Sequence, residues 1–165
     1  MCDYSKGLTR FQQTLELELK TLCPNHPSVA TTYNNIGEVY NAMGDNSKAL
    51  TYYEQTLELE LKTLCPNHPS VATTYNNIGG VYNAMGDNSK ALTYYELTLE
   101  LELKTLCPNH PSVATTYNNI GEVYNDMGDY SKALTYYEQT LELRLKTLGP
   151  NHPSVATTYN NVGLV

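Results

Sequence analysis

The tetrapeptide Cys23-Pro24-Asn25-His26 places a thiol and an imidazole three residues apart, a spacing with which one loop can offer two ligands to a zinc ion. The pair returns at Cys65/His68 and Cys107/His110. A closed zinc site needs four converging ligands, whereas each tetrapeptide supplies two and the next lies a whole repeat away. In the following occurrence Gly149 stands where the cysteine stood. A slot that accepts glycine reads as a turn position, so no metal is expected, and the histidine is assigned to a junction between helices. Nucleophilic chemistry fares no better. Ser28, Ser47 and their copies sit at helix starts, where serine serves as a cap or first-turn residue. Gly44-Asp45 and its copies are single helix-ending glycines, not a phosphate-binding loop. The sequence predicts no enzyme activity and no cofactor.

These residues belong to a unit written several times over. His26 to Asn67 recurs as His68 to Asn109 with two differences, Glu38 becoming Gly80 and Gln55 becoming Leu97. It recurs again as His110 to Asn151, where Ala42 becomes Asp126, Asn46 becomes Tyr130, Glu60 becomes Arg144 and Cys65 becomes Gly149. The period, from His26 to His68 and from His68 to His110, is 42 residues. Such a period marks a repeat array, whose core is shared between neighbouring units. The organisation expected is one array over 1–165: a second-helix half repeat at 1–25, full repeats at 26–67, 68–109 and 110–151, and a truncated first-helix half repeat at 152–165.

Each unit reads as two helices. The first opens at the His-Pro pair, where Pro27 suits the first helical position and His26 or Asn25 caps it. It runs to Met43 and stops at Gly44-Asp45, glycine being able to close a helix in the left-handed conformation. The second starts at Ser47 with Asn46 or Asp45 as cap. Leu50, Tyr53, Leu57, Leu61 and Leu64 give it an apolar face at helical spacing. Cys65-Pro66 ends it, since proline cannot continue the hydrogen-bond ladder. No stretch alternates with period two. The expected architecture is all-α: about four repeats and eight helices, in antiparallel pairs.

Tyr33-x-x-Ile36-Gly37-x-x-Tyr40 followed by Ala49-x-x-x-Tyr53 resembles the tetratricopeptide pattern of an aromatic, a small residue, a tyrosine, then alanine and an aromatic. The ordinary unit of that family has about 34 residues and closes its second helix with a proline. Here Leu61 stands at that place, and the helix continues by about two turns. This long variant resembles the repeats of kinesin light chains. The resemblance implies a right-handed superhelical solenoid and a protein-binding function carried by its concave groove.

On a helical wheel, Tyr33, Ile36, Gly37, Tyr40 and Met43 fall on one side of the first helix, and Thr31, Asn34, Asn35, Glu38, Asn41 and Ala42 on the other. The resemblance places the second arc in the groove. Across units it offers Thr31, Thr73, Thr115 and Thr157; Asn34, Asn76, Asn118 and Asn160; Asn41, Asn83 and Asn125, with Asn77 and Asn119 beside them. Asparagine donates and accepts at once, so such a ladder suits the main chain of an extended peptide. Equally, asparagine and threonine on a helix are ordinary solvated surface, and near-identical units copy a residue whether or not it is used.

The arc carries no Lys or Arg; its only charges are Glu38, Glu122 and Asp126. Family members that clamp a terminal carboxylate use basic residues here, and kinesin light chains accept acidic motifs. A neutral or basic segment is therefore expected instead of an acidic one. On the second helix, Glu54, Glu58, Glu60 and Lys62 read as a solvated outer face.

A net charge of −7 argues against nucleic-acid binding, and no apolar run approaches a membrane span. Equivalent cysteines about 10 Å apart are too distant for disulfides, which with unpaired thiols points to the cytoplasm. Finally, 1–22 reads as a second helix without its first and 152–165 as a first helix without its second. Those complementary faces suggest head-to-tail self-association. The leading function is a non-catalytic module that binds a peptide or protein segment. The alternative is a structural spacer or self-assembling scaffold, which the near-identity of the units favours, and a third reading is a consensus-like sequence chosen for stability.

Overall fold

The computed structural model describes residues 4–165. Among them are eight helices and no strand: α1 Tyr4–Thr21, α2 Pro27–Ala42, α3 Asn46–Thr63, α4 Pro69–Ala84, α5 Asn88–Thr105, α6 Pro111–Asp126, α7 Tyr130–Leu148 and α8 Pro153–Gly163. Each helix packs on the next, and each second helix from α3 to α7 lies against the first helix of its own unit and of the following one. The result is an all-α solenoid in which α2, α4, α6 and α8 form one layer and the intervening helices the other.

Local chemistry sets the joints. His26, His68, His110 and His152 are the caps of the first helices: each Nδ1 accepts the backbone N–H two residues on, at 3.2 Å, while proline fills the first helical position. The His26 N–H also donates to the Cys23 carbonyl at 2.9 Å, so Cys-x-x-His is a hydrogen-bonded turn. Gly44, Gly86 and Gly128 close the first helices with φ of 77°, 76° and 76°. At the cysteine slot, Gly149 takes φ 80° and α7 runs one residue further than its equivalents, to Leu148.

Asp45, Asp87 and Asp129 cap the second helices, each accepting from the backbone N–H three residues on. The facing lysine holds each of these carboxyls below its usual range. Lys90 bridges this joint, with Nζ 2.9 Å from Asp87 and 4.9 Å from the Tyr82 ring centroid. Asp87→Ala removes the acceptor of the Lys90 N–H and is expected to lower stability, read as a fall in urea midpoint.

Inside each hairpin, Ile36, Ala49 and Tyr53 are buried, as are Ile78, Ala91 and Tyr95 in the next. Gly37, Gly79 and Gly121 let the helices approach: a Cβ there would lie 2.8 to 2.9 Å from the ring of Tyr53, Tyr95 or Tyr137. Thr56 donates to the Tyr52 carbonyl of its own helix and to the Ala30 carbonyl of the facing one.

Three expectations change. Met43, placed on the core face, is 49% exposed, and Leu61 is 46% exposed. Glu60, assigned to the solvated outer face, is 7% exposed. A second helix wedged between two first helices is covered on two sides, so its buried surface turns away from the stripe that one partner would select.

Candidate peptide-binding groove

The layer of first helices carries the residues singled out from the sequence. Thr31, Thr73 and Thr115 are exposed, each hydroxyl donating to the carbonyl four residues back at 3.3 Å. Glu38, Asn41, Glu122 and Asp126 are exposed as well; Asn34, Asn35, Asn76, Asn77, Asn119 and Asn125 are half-buried, and Asn118 is buried.

The asparagines form a ladder, and its rungs lie within the chain. Asn77 Nδ2 donates to Asn34 Oδ1 at 3.1 Å, Asn119 to Asn76 at 3.0 Å, and Asn161 to Asn118 at 3.0 Å. These bonds tie each first helix to the next. Asn34 and Asn118 also donate to Glu38 and Glu122 of their own helices at 2.9 and 2.8 Å. Gly80 removes that acceptor from the central unit, leaving Asn76 Nδ2 with no such partner. Asn83 Oδ1 is buried without a hydrogen-bond partner among the described residues.

Between consecutive first helices the floor comes from the second helix, and sequence reasoning missed it. Glu60 reaches up from α3, its Oε2 accepting from Thr74 Oγ1 of α4 at 2.7 Å. Glu102 does the same with Thr116 at 2.7 Å, and Glu18 with Thr32 at 2.7 Å. Burial pushes the Glu60 and Glu102 carboxyls above the usual carboxylate range, against the weaker opposing effects of the threonine bond and of His68 or His110. A hollow of about 160 Å³ opens over Glu60, walled by Thr31, Asn34, Ser70 and Thr73. One of about 180 Å³ opens over Glu102, walled by Thr73, Asn76, Ser112 and Thr115.

At the last of these interfaces, between α7 and α8, the side chain is reversed in charge. Arg144 Nη1 donates to Thr158 Oγ1 at 2.8 Å and to the Ser154 carbonyl at 3.1 Å. Threonine thus donates to a carboxylate at the first three interfaces and accepts from a guanidinium at the last. The exchange of Glu60 and Glu102 for Arg144, in units otherwise nearly identical, was the signal in the sequence. No Lys or Arg stands on α2, α4, α6 or α8. Among the described residues no three His, Cys, Asp or Glu side chains are grouped to hold a metal ion, and no helix is long and apolar enough to cross a membrane.

A family model described as tetratricopeptide repeat matches residues 1–62, 70–146 and 112–165. The chain belongs to the tetratricopeptide repeat family. Its fold is similar to that of a Podosopora anserina protein of nearly identical TPR-like repeats assigned to the kinesin light chains. That likeness has a TM-score of 0.82 at 25% identity, over 98% of this chain and 76% of the other. BtubC (BKLC) from P. vanneervenii shares the fold with a TM-score of 0.79 at 21% identity, over 99% of this chain and 66% of that one. The N-terminal domain of stress-induced protein-1 from C. elegans aligns with a TM-score of 0.62 at 18% identity, over 83% of this chain and 96% of that domain. No curated protein sequence matches the chain. Tetratricopeptide repeats generally serve as protein–protein interaction modules, and the two-layer stack with its row of first helices is the arrangement that exposes such a surface.

Proposed function

We propose that the chain is a non-catalytic interaction module that takes a neutral or basic peptide segment along the row of first helices. Thr31, Thr73, Thr115, Asn41, Glu38, Glu122 and Asp126 would meet the ligand directly. The asparagines 34, 76 and 118, committed through their oxygens to the inter-helix ladder, would offer only their remaining hydrogen-bonding capacity. The observation that carries the reading is electrostatic: four first helices expose hydroxyl, amide and carboxylate groups and no basic side chain. An acidic ligand would meet like charge, and a neutral or basic one would not.

The four histidine caps support units of 26–67, 68–109 and 110–151 with partial units on either side. The exposed, unpaired Cys23, Cys65 and Cys107 support a reducing, cytoplasmic setting.

The test is binding of acidic, neutral and basic peptides to the parent and to a Thr31/Thr73/Thr115→Lys variant, followed by fluorescence anisotropy. These threonines are exposed, and lysine is at home in a helix, so folding is kept. The parent is expected to bind neutral or basic peptides at least tenfold more tightly than acidic ones, and the variant to lose that binding. A parent that prefers acidic peptides, or a variant that binds unchanged, would remove this reading.

A further inference from the structure

We propose that the hollows over Glu60 and Glu102 are two cation pockets, and that they take lysine or arginine side chains spaced three residues apart on one extended peptide. The inference rests on the groove reading above and adds to it a ligand class and a spacing.

Three observations converge. First, each hollow has a carboxylate at its floor that is 7% exposed, and that carboxylate uses one oxygen on a threonine. Among the described residues, the basic groups whose fields reach them are His68 for Glu60 and His110 for Glu102, and those imidazoles already cap helices through Nδ1. A buried carboxylate without a cation is incompletely compensated, and an incoming ammonium or guanidinium supplies what is missing.

Second, the hollows have room. Volumes of about 160 and 180 Å³ suit a basic side chain, and their walls carry threonine and serine hydroxyls and asparagine amides that can accept its remaining N–H groups.

Third, the chain itself places a cation at the equivalent position. Arg144 of α7 lies in the field of Glu122 of α6, with its guanidinium on the Thr158 hydroxyl and the Ser154 carbonyl of α8. The slot between consecutive first helices therefore accommodates a positive side chain, and the threonine and serine that hold it recur as Thr74 and Ser70, and as Thr116 and Ser112.

The spacing follows from geometry. Packed helices repeat at about 10 Å, and a peptide in the extended polyproline II conformation has three residues per turn and advances about 3.1 Å per residue, so side chains at i and i+3 project from one face about 9 Å apart and reach from one pocket to the next. Arg144 ends the row, because a third cation on the ligand would meet the chain's own.

The experiment uses labelled Gly/Ser peptides carrying two lysines at i and i+3, with peptides of identical composition spaced i, i+2 and i, i+5, and a helical peptide with lysines at i and i+7. Each is titrated against the parent and against Glu60→Gln, Glu102→Gln and the double variant. Glutamine keeps an oxygen for the threonine hydroxyl, so the fold is retained, and circular dichroism checks it. The i, i+3 peptide is expected to bind the parent about tenfold more tightly than the other extended spacings. Each single substitution should remove about half of that gain on a logarithmic scale, and the double variant all of it. A third lysine at i+6 should add nothing.

Indifference to spacing, preference for the helical peptide, or full affinity in the double glutamine variant would overturn the proposal. If binding survives the glutamines but is lost in the Thr→Lys variant of the previous section, the groove reading stands and the pockets fall. If it survives both sets, or if no peptide binds, both fall.

Discussion

Replacing Gly79 with valine is expected to destabilise the array by about 3 kcal/mol, while Gly80→Ala, one residue along the same helix, should stabilise it by about 0.5–1 kcal/mol. The contrast comes from what each new Cβ meets. At Gly79 it would fall 2.9 Å from both Cδ1 and Cε1 of Tyr95, inside any van der Waals contact. Tyr95 is 4% exposed and packed among Ala91, Ile120 and Val123, so its ring has nowhere to retreat. The two further methyl groups of valine enlarge the overlap, and the helix propensity gained over glycine is only a few tenths of a kcal/mol. At Gly80 the nearest atom would be the Tyr95 hydroxyl at 3.5 Å, an ordinary contact, so the entropy saved by losing a glycine is free to act.

Because repeat arrays are held by nearest-neighbour interfaces, damage at α4 should also uncouple the units on either side. Urea unfolding followed by circular dichroism is expected to show a lower midpoint and a broader transition for Gly79→Val, with a raised midpoint and unchanged slope for Gly80→Ala. Equal effects of the two substitutions would mean that α4 and α5 are not packed as described.

Much of this arrangement is legible in the repeats. Proline after histidine, glycine before aspartate and the small residues at Gly37 and Ala49 each specify a local conformation that no neighbour has to supply. Helix number, order and joints therefore followed from single units. What a single unit hides is the interface with the next one. Met43 and Leu61 looked internal because an apolar residue at helical spacing is read as buried, yet Met43 is the cap just past the end of α2 and Leu61 lies outside the area that the two first helices flanking α3 cover. Glu60 looked external because a wheel treats a helix as having one partner, whereas α3 has two, and Thr74 of the second meets the carboxylate. The groove asparagines were legible as a ladder, but not that their oxygens are held within it, since that bond joins residues 43 positions apart. Only the reversal at Arg144 carried a trace of the interface into the sequence.

Removing the hydroxyl that holds one of these carboxylates should be the other large effect. Thr116→Val keeps the shape of the side chain but deprives Glu102 Oε2 of its 2.7 Å donor. A hydrogen bond to a charged group is worth about 1.5–3 kcal/mol, and its loss leaves a buried carboxylate with that oxygen unsatisfied. A loss of about 2 kcal/mol at pH 7 is expected. Glu102→Gln should act the other way, keeping an acceptor for Thr116 while removing the buried charge, and should stabilise by about 1 kcal/mol at the same pH.

The dependence on pH separates this account from a packing defect. Burial raises the Glu102 carboxyl above its unfolded value, so between that value and the folded one the native chain binds more protons than the unfolded chain. The stability this group contributes is fully present below the unfolded pKa, near 4.5, and is lost as pH rises through the folded one. The advantage of Glu102→Gln over the parent should therefore fade on acidification toward pH 4.5 and be gone below it, and the deficit of Thr116→Val should shrink, since a protonated carboxyl is less costly to leave unbonded. The aspartate caps, whose carboxyls are held low, weaken in acid in parent and variants alike and cancel in the differences. Chemical denaturation of the three proteins at pH 4.5 and 7 is sufficient. Deficits independent of pH would locate the damage in packing and not in the buried charge. The coupling matters because the same carboxylate joins α5 to α6 and floors a hollow in the groove: a cation bound there would neutralise the charge that strains the interface, so ligand binding and the cohesion of neighbouring repeats would rise together.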